Sequence, residues 1–93
     1  MYKPNPIDTS YLTVSEEIQE LIEALSKNIH EVWSQQKISD GWVYGPETNE
    51  EKKTHRCITE YENLSEADKQ YDRNTVTQTI KTLLSLGYSI TKK

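Results

Sequence analysis

The feature that most constrains the fold is a run of apolar residues with helical spacing in the first third of the chain. Seven residues recur at three- and four-residue steps: Ile18, Leu21, Ile22, Leu25, Ile29, Val32 and Trp33. This period places all seven side chains along one stripe of an α-helix, whereas the Glu and Lys residues between them mostly face water. Thr13 and Glu16 match a capping box at its start. The sequence therefore predicts a first helix from about Val14 to Gln36.

A second region with approximately helical spacing follows from Ser65, which matches an N-cap because acidic residues follow it in the first turn. Its apolar face is formed by Ala67, Tyr71, Val76, Ile80, Leu83 and Leu84. Thr75 and Gln78 match a further capping box. The region is therefore predicted either as one helix or as two helices that meet near Asn74. Gly87 suits the left-handed position just after a helix.

The remaining segments are short and polar. Residues 1–12 contain two prolines and are predicted to form an extended N-terminal arm. Residues 41–46 combine turn residues with aromatic residues and indicate a short extended piece, and residues 55–61 are compatible with a short strand. Residues 47–53 are polar, carry both charge signs and indicate a solvated loop. The predicted fold is mainly α, with two long helical regions and short extended segments in one domain, residues 1–93.

Composition excludes several functional classes. The chain has 93 residues and a formal net charge of −4, and this acidity disfavours nonspecific binding to nucleic acid. No apolar run approaches the ~20 residues of a transmembrane helix, and the N-terminus lacks the pattern of a signal peptide. We therefore expect a cytoplasmic protein with neither nucleic acid nor membrane as a partner.

The sequence also lacks the motifs that carry catalysis. It contains no phosphate-binding loop, no HExxH zinc motif and no glycine-rich nucleotide turn. Cys57 is the single cysteine, which excludes an internal disulfide and indicates a small, partly buried apolar residue. The expectation is a protein that is not an enzyme and has neither a cofactor nor a metal site.

Several stretches occur in an order that identifies a resemblance to a known family. They are Pro6-Ile7-Asp8-Thr9-Ser10, Asn28 to Trp33, Gly41 to Gly45, Leu64-Ser65-Glu66, Lys69 to Arg73, and Thr79 to Tyr88. Together they resemble the RyR domain, the repeat named for ryanodine receptors. The resemblance implies two antiparallel helices with short extended segments. It also implies a cytosolic unit without a pore, similar to free-standing microbial or viral members of the family.

Five residues are candidate ligand contacts. His30 and Trp33 lie three positions apart on the first helix. The topology of the family implies that Trp42 and Tyr44 come close to the end of that helix, where a ring could stack on a base or a sugar. Arg73 could meet an anionic group, because guanidinium presents two coplanar donors. In the alternative interpretation the two Trp fill the core, and His30 donates one hydrogen bond to the loop.

A structural role is also compatible with the segment around Arg73. In that alternative Asp72 caps a helix, and Arg73 forms an ion pair with Glu31 or Glu60. The neighbouring pair His55 and Arg56 could bind phosphate, although such pairs are common on solvated surfaces.

These observations predict a binding module that recognises a small anionic or nucleotide-derived ligand or a protein partner. The resemblance contributes to this prediction, because some members of the family are suspected ligand sensors. The alternative is an assembly module, in which one repeat forms a homodimer and so reproduces the tandem pairs of ryanodine receptors. The small apolar content, 33% of residues, is compatible with that alternative because association would add buried surface.

Overall fold

The computed structural model describes all residues from Met1 to Lys93. In chain order its elements are helix α1 (Glu16–Ser39), strand β1 (Val43–Tyr44), strand β2 (Thr54–His55), a 3-10 turn (Tyr61–Asn63) and helix α2 (Glu66–Ser85). The mainly α prediction with short extended segments is confirmed. Neither helix combines the length and the apolarity needed to cross a bilayer.

Helix α1 differs from the prediction at both ends. Its N-cap is Ser15, whose Oγ accepts a hydrogen bond from the amide of Ile18 at 3.2 Å, so the predicted capping box at Thr13 does not form. The helix continues to Ser39, three residues beyond the predicted end. The apolar pattern weakens after Trp33, but helical hydrogen bonds require only backbone groups and are not ended by polar side chains.

Helix α2 is continuous through Asn74. Ser65 caps it as predicted, since its Oγ accepts from the amide of Asp68 at 3.1 Å. The Thr75 hydroxyl does not cap a second helix. It donates to the carbonyl of Tyr71 at 3.0 Å, within the same helix.

Both helices end in the same way, at a glycine with positive φ. Gly41 has φ +93° and Gly87 has φ +95°. The residue after each glycine donates its amide back into the last turn: Trp42 to Lys37 at 3.0 Å, and Tyr88 to Leu83 at 3.1 Å. This pattern satisfies carbonyl groups that a helix end leaves unpaired, and the left-handed conformation explains why glycine stands at both positions.

The helices pack antiparallel around a small core. Ile22, Val76 and Ile80 are buried at its centre. Val14, Ile18, Leu21 and Leu84 pack around them, so the start of α1 lies beside the end of α2.

Only one side of the predicted apolar stripe of α1 is buried. The buried row of α1 consists of Ile22, Ser26 and His30, at four-residue steps. Ser26 is completely buried, and its hydroxyl is satisfied by the carbonyl of Ile22 at 2.7 Å. By contrast, Ile29 and Val32 remain 38% and 55% exposed. Contact with a single neighbouring helix covers a narrower arc than the apolar pattern occupies.

The arm at the N-terminus is anchored to α2. Residues 1–9 have no regular secondary structure, yet Thr9 is buried and its hydroxyl donates to Oε1 of Gln78 at 3.1 Å. Next to it, Asp8 accepts hydrogen bonds from the amide and the hydroxyl of Ser10. The hydrogen bond from Thr9 to Gln78 therefore connects the arm to α2.

The extended segments form a two-stranded parallel sheet. Val43 pairs with Thr54 and Tyr44 pairs with His55. Residues 47–53, predicted to be a solvated loop, are all exposed. The strand predicted at residues 55–61 is limited to Thr54–His55, because a turn follows directly. The sheet brings His55 back to α1, where the candidate site lies.

Candidate functional site

A cleft of about 180 Å³ lies where α1, α2 and the segment after β2 meet. Its lining combines aromatic, acidic and imidazole groups. The lining residues are His30, Trp33, His55, Cys57, Leu64, Asp68, Tyr71 and Asp72. The cleft is thus built from three separate stretches of the chain.

Aromatic rings form one wall of the cleft. Trp33 stacks on His30 with 5.7 Å between ring centroids, and His55 meets Trp33 edge-on at 4.8 Å. Trp42 lies behind His55, at 6.2 Å. The Tyr71 ring is 76% exposed although it lines the cleft. An incoming planar group therefore finds aromatic surface that the protein itself leaves open.

His30 is oriented by the loop that follows β2. Only 4% of the residue is exposed, and Nε2 lies 2.7 Å from the carbonyl oxygen of Thr59. A carbonyl can only accept, so Nε2 carries the proton and, in the neutral ring, Nδ1 is an acceptor. The expected hydrogen bond from His30 to the loop is present, and the second nitrogen remains available.

His55 is fixed in the opposite tautomer. Its Nδ1 accepts the amide proton of Cys57 at 3.0 Å, so the neutral ring carries its proton on Nε2. Burial lowers the pKa of His55, and the positive charges of Lys37 and Arg56 lower it further. His55 is consequently neutral at pH 7 and presents one N–H donor.

Two carboxylates of α2 contribute different chemistry. Asp68 forms a bidentate pair with Arg56, at 2.7 and 3.1 Å, which lowers the pKa of Asp68. Asp72 has neither a hydrogen bond nor an ion pair within the protein. Burial raises the pKa of Asp72; His30 opposes this shift and Asp68 adds to it. Asp72 is thus the acidic group of the cleft that remains without a donor.

The five predicted contacts separate into two groups. His30 and Trp33 line the cleft. Trp42 does not line it but contacts His55, which does. The Lys37 ammonium lies 4.4 Å from the centroid of the Trp42 ring. Tyr44 is 58% exposed on β1 and does not line the cleft. Arg73 also lies outside the cleft, and its guanidinium is used elsewhere.

Arg73 links the two helices. Its Nε and Nη2 donate to Glu23 of α1 at 2.8 and 3.2 Å, and its Nη1 donates to Glu66 at 3.0 Å. Tyr61 donates its hydroxyl to the same Glu23 at 3.0 Å. Arg73 therefore forms ion pairs, as the structural interpretation of this segment predicted, but its partners are Glu23 and Glu66 and not Glu31 or Glu60. Asp72 lies inside α2 and caps nothing.

We expect Arg73→Met to lower the melting temperature by a few degrees and to weaken its dependence on acid. The Arg73 hydrogen bond holds the pKa of Glu23 and of Glu66 below the ordinary value. A carboxyl group with a lowered pKa in the folded state stabilises the fold above its unfolded pKa, and this contribution is lost as pH falls through the lowered value.

Thermal unfolding between pH 7 and pH 2 measures this effect. Lys52→Met is the control, because Lys52 is exposed and forms no ion pair. If the wild type and Arg73→Met lost stability equally on acidification, the ion pairs of Arg73 would not contribute.

Six lining residues were not among the predicted contacts: His55, Cys57, Leu64, Asp68, Tyr71 and Asp72. A signal for three of them is present in the sequence, because residues 68, 71 and 72 are spaced to share one face of a helix. Arg73 is turned about 100° from Asp72, toward Glu66 and α1. His55 gave no periodic signal, since β2 has only two residues, and the sequence indicated it only as a possible phosphate contact together with Arg56.

A wider groove of about 490 Å³ lies between the start of α1 and the C-terminal segment. It is lined by Ser15, Glu17, Ile18, Glu20, Leu21, Ile90, Thr91 and Lys92. It contains neither an aromatic ring nor a buried polar group. We regard the smaller aromatic cleft as the candidate site, because specific contacts depend on such groups more than on volume. No group of His, Cys, Asp and Glu side chains is arranged to hold a metal ion.

The chain was compared with models of known protein families. The model of the family described as the RyR domain matches residues 2–92. The matched segment contains the arm except Met1, both helices, the sheet and every residue of the cleft.

Proposed function

Because this chain belongs to the RyR domain family, we propose that it is a non-enzymatic cytoplasmic module that binds a small nucleotide-derived ligand at the cleft between its helices. The observation that carries this proposal is the open aromatic wall formed by Trp33 and Tyr71, beside imidazole and carboxylate groups. Base stacking on aromatic side chains contributes about 1–3 kcal/mol per base.

The size of the cleft favours a single ring system. Pockets that enclose a complete small ligand measure roughly 300–1,000 Å³, and the cleft has about 180 Å³. One base would fill it, and the sugar and phosphate of a nucleotide would remain outside.

The charges around the cleft support a ligand with an anionic part. Lys37 and Arg56 flank His55, since both lower its pKa through their charge. Lys37 lies on α1 and forms no ion pair, whereas Arg56 directly follows β2 and is paired with Asp68 of α2. A base inserted between the rings could extend its phosphate toward Lys37, the unpaired cation beside His55, where attraction is strongest.

The chemistry of Cys57 supports a binding role over catalysis. Burial raises the pKa of the Cys57 thiol, and Asp68 raises it further. The thiolate is the nucleophilic form, so a raised pKa makes this cysteine a poor nucleophile. His55 cannot activate it through Nδ1, because that nitrogen already accepts the Cys57 amide.

Thermal unfolding with a panel of nucleoside monophosphates tests this function. A ligand at 100 times its dissociation constant adds about 2.7 kcal/mol of stability, and we expect at least one nucleotide to raise the melting temperature. Tyr71→Ala should reduce that shift strongly, because it removes an exposed stacking ring. Tyr88→Ala is the matched control, since Tyr88 is 67% exposed and lies outside the cleft. A shift that survives Tyr71→Ala would contradict the site, and no shift with any nucleotide would contradict the ligand class.

A specific observation also favours the alternative, a module that assembles with a protein partner or with a second copy of itself. Leu25, Ile29 and Val32 form an exposed apolar row on α1, at four- and three-residue steps. Such a row resembles the anchor pattern of helices that dock on a partner. In the same unfolding experiment, a melting temperature that rises with protein concentration and ignores nucleotides would favour self-association.

A further inference from the structure

Two groups of the cleft, the His30 imidazole and the Asp72 carboxylate, have hydrogen-bond acceptor atoms that lack a donor. His30 Nδ1 has no hydrogen-bond partner, although only 4% of the residue is exposed. The two oxygens of Asp72 have none either. No side-chain nitrogen or oxygen that is sealed from solvent lacks a hydrogen bond. Because His30 Nδ1 and the Asp72 oxygens have no hydrogen bond, they must be in contact with solvent. The cleft is the solvent space that both residues line.

The two acceptors belong to one site. Both residues line the same cleft, His30 from α1 and Asp72 from α2. His30 is held in place from behind by the Thr59 carbonyl, so its ring cannot turn without losing a 2.7 Å hydrogen bond. Asp72 lies within α2, where its backbone is rigid. Fixed acceptors of this kind are selective, because a ligand without matching donors would leave them desolvated and unpaired.

We propose that the cleft selects a planar ligand edge with two adjacent N–H donors, which Asp72 accepts in a bidentate manner and His30 Nδ1 supplements. A carboxylate and a planar pair of N–H groups form two parallel hydrogen bonds. Among nucleobases, guanine has such an edge in its N1–H and 2-amino groups. A guanidinium group has the same edge, so the shared chemistry has two sources. This inference rests on the proposed function and specifies the ligand that it recognises.

Other groups of the cleft agree with this chemistry. Trp33 and Tyr71 offer rings to a planar group, and both guanine and guanidinium stack on aromatic faces. Asp68 does not compete for the donors, because Arg56 occupies both of its oxygens. Arg73 does not neutralise Asp72, because all three of its guanidinium nitrogens donate to Glu23 or Glu66. The negative charge of Asp72 is therefore free for a ligand.

The test compares guanosine monophosphate with inosine monophosphate, which lacks only the 2-amino group. Calorimetric titration of the wild type should show about tenfold tighter binding of the guanine compound, as expected for one additional hydrogen bond to a charged acceptor. Asp72→Asn is nearly isosteric but replaces one acceptor with a donor. In this variant the ratio of the dissociation constants of inosine and guanosine monophosphate should fall to about one. Glu51→Gln controls for net charge, because Glu51 is exposed in the loop between the strands and should preserve the ratio.

A third probe, N-acetylarginine amide, separates the two sources. If the wild type prefers guanosine monophosphate and Asp72→Asn does not, the result supports both the inference and the proposed function. Binding of the arginine probe alone, lost in Asp72→Asn, supports the donor edge and overturns guanine as its source. Equal binding of both nucleotides in the wild type overturns the donor edge and leaves the proposed function standing. If none of the three binds, the donor edge is overturned, and the panel of nucleoside monophosphates decides the proposed function separately.

A spectroscopic measurement keeps the test independent of variants. The ¹⁵N resonance of His30 Nδ1 in wild-type protein should move when the guanine compound is added, because a nitrogen that gains a hydrogen bond changes its shielding. An unchanged Nδ1 resonance at saturation would remove His30 from the contact.

Discussion

Ile80→Ala should destabilise the domain by about 2–5 kcal/mol. Ile80 is only 4% exposed and forms the buried cluster between the helices together with Ile22 and Val76. Truncation would remove part of the buried apolar surface and leave a cavity. Because native domains are stable by only about 5–15 kcal/mol, this loss is a large fraction of the total.

Thermal or urea unfolding measures this effect. One kcal/mol shifts the melting temperature of a domain of this size by about 4–8 °C, so the midpoint should fall by at least roughly 8 °C. Leu83→Ala is the matched control, because Leu83 lies on the same helix but is 40% exposed. If the two substitutions cost the same, the core would not be centred on Ile80.

Gly45→Ala should cost about 1–3 kcal/mol, the range observed when atoms are added to a packed site. A Cβ atom at Gly45 would lie 2.6 Å from Cβ and 3.1 Å from Cγ2 of Thr54, on the neighbouring strand. The Cβ of Thr54, the nearer of the two atoms, cannot move without displacing the backbone of β2. The expected result is a lower melting temperature and a displaced His55, which follows Thr54 directly in β2.

The double variant Gly45→Ala/Thr54→Gly provides the control. Thr54→Gly removes the side chain that the new methyl group would meet, so the alanine should cost much less in that background than in the wild type. Should Gly45→Ala cost the same in both backgrounds, the close approach to Thr54 would not be the cause.

These two predictions bear on function because the same elements position the cleft. The Ile80 cluster determines the spacing of α1 and α2, which carry Trp33 and Asp72. The approach of Gly45 to Thr54 determines where β2 places His55. A change in either would displace cleft residues that it does not touch.

The sequence by itself determined the elements that depend on local interactions. The spacing of apolar residues predicted both helices, and Ser65 predicted the start of α2 because a side-chain cap is formed within one turn. Gly87 indicated the end of α2 for a similarly local reason, the left-handed backbone that follows the last turn. The motifs shared with the RyR domain also identified the family that the comparison shows.

Only the tertiary structure decided which side of α1 is buried and which residues line the cleft. Periodicity places Ile22 and Ile29 on one broad stripe, but only contact with α2 buries the first and leaves the second exposed. Asp72 and Arg73 are neighbours in sequence, yet one faces the cleft and the other pairs with Glu23. The physical reason is that the cleft joins three stretches that are distant in the chain. Their meeting depends on the packing of the helices and the pairing of β1 with β2, which no local pattern records.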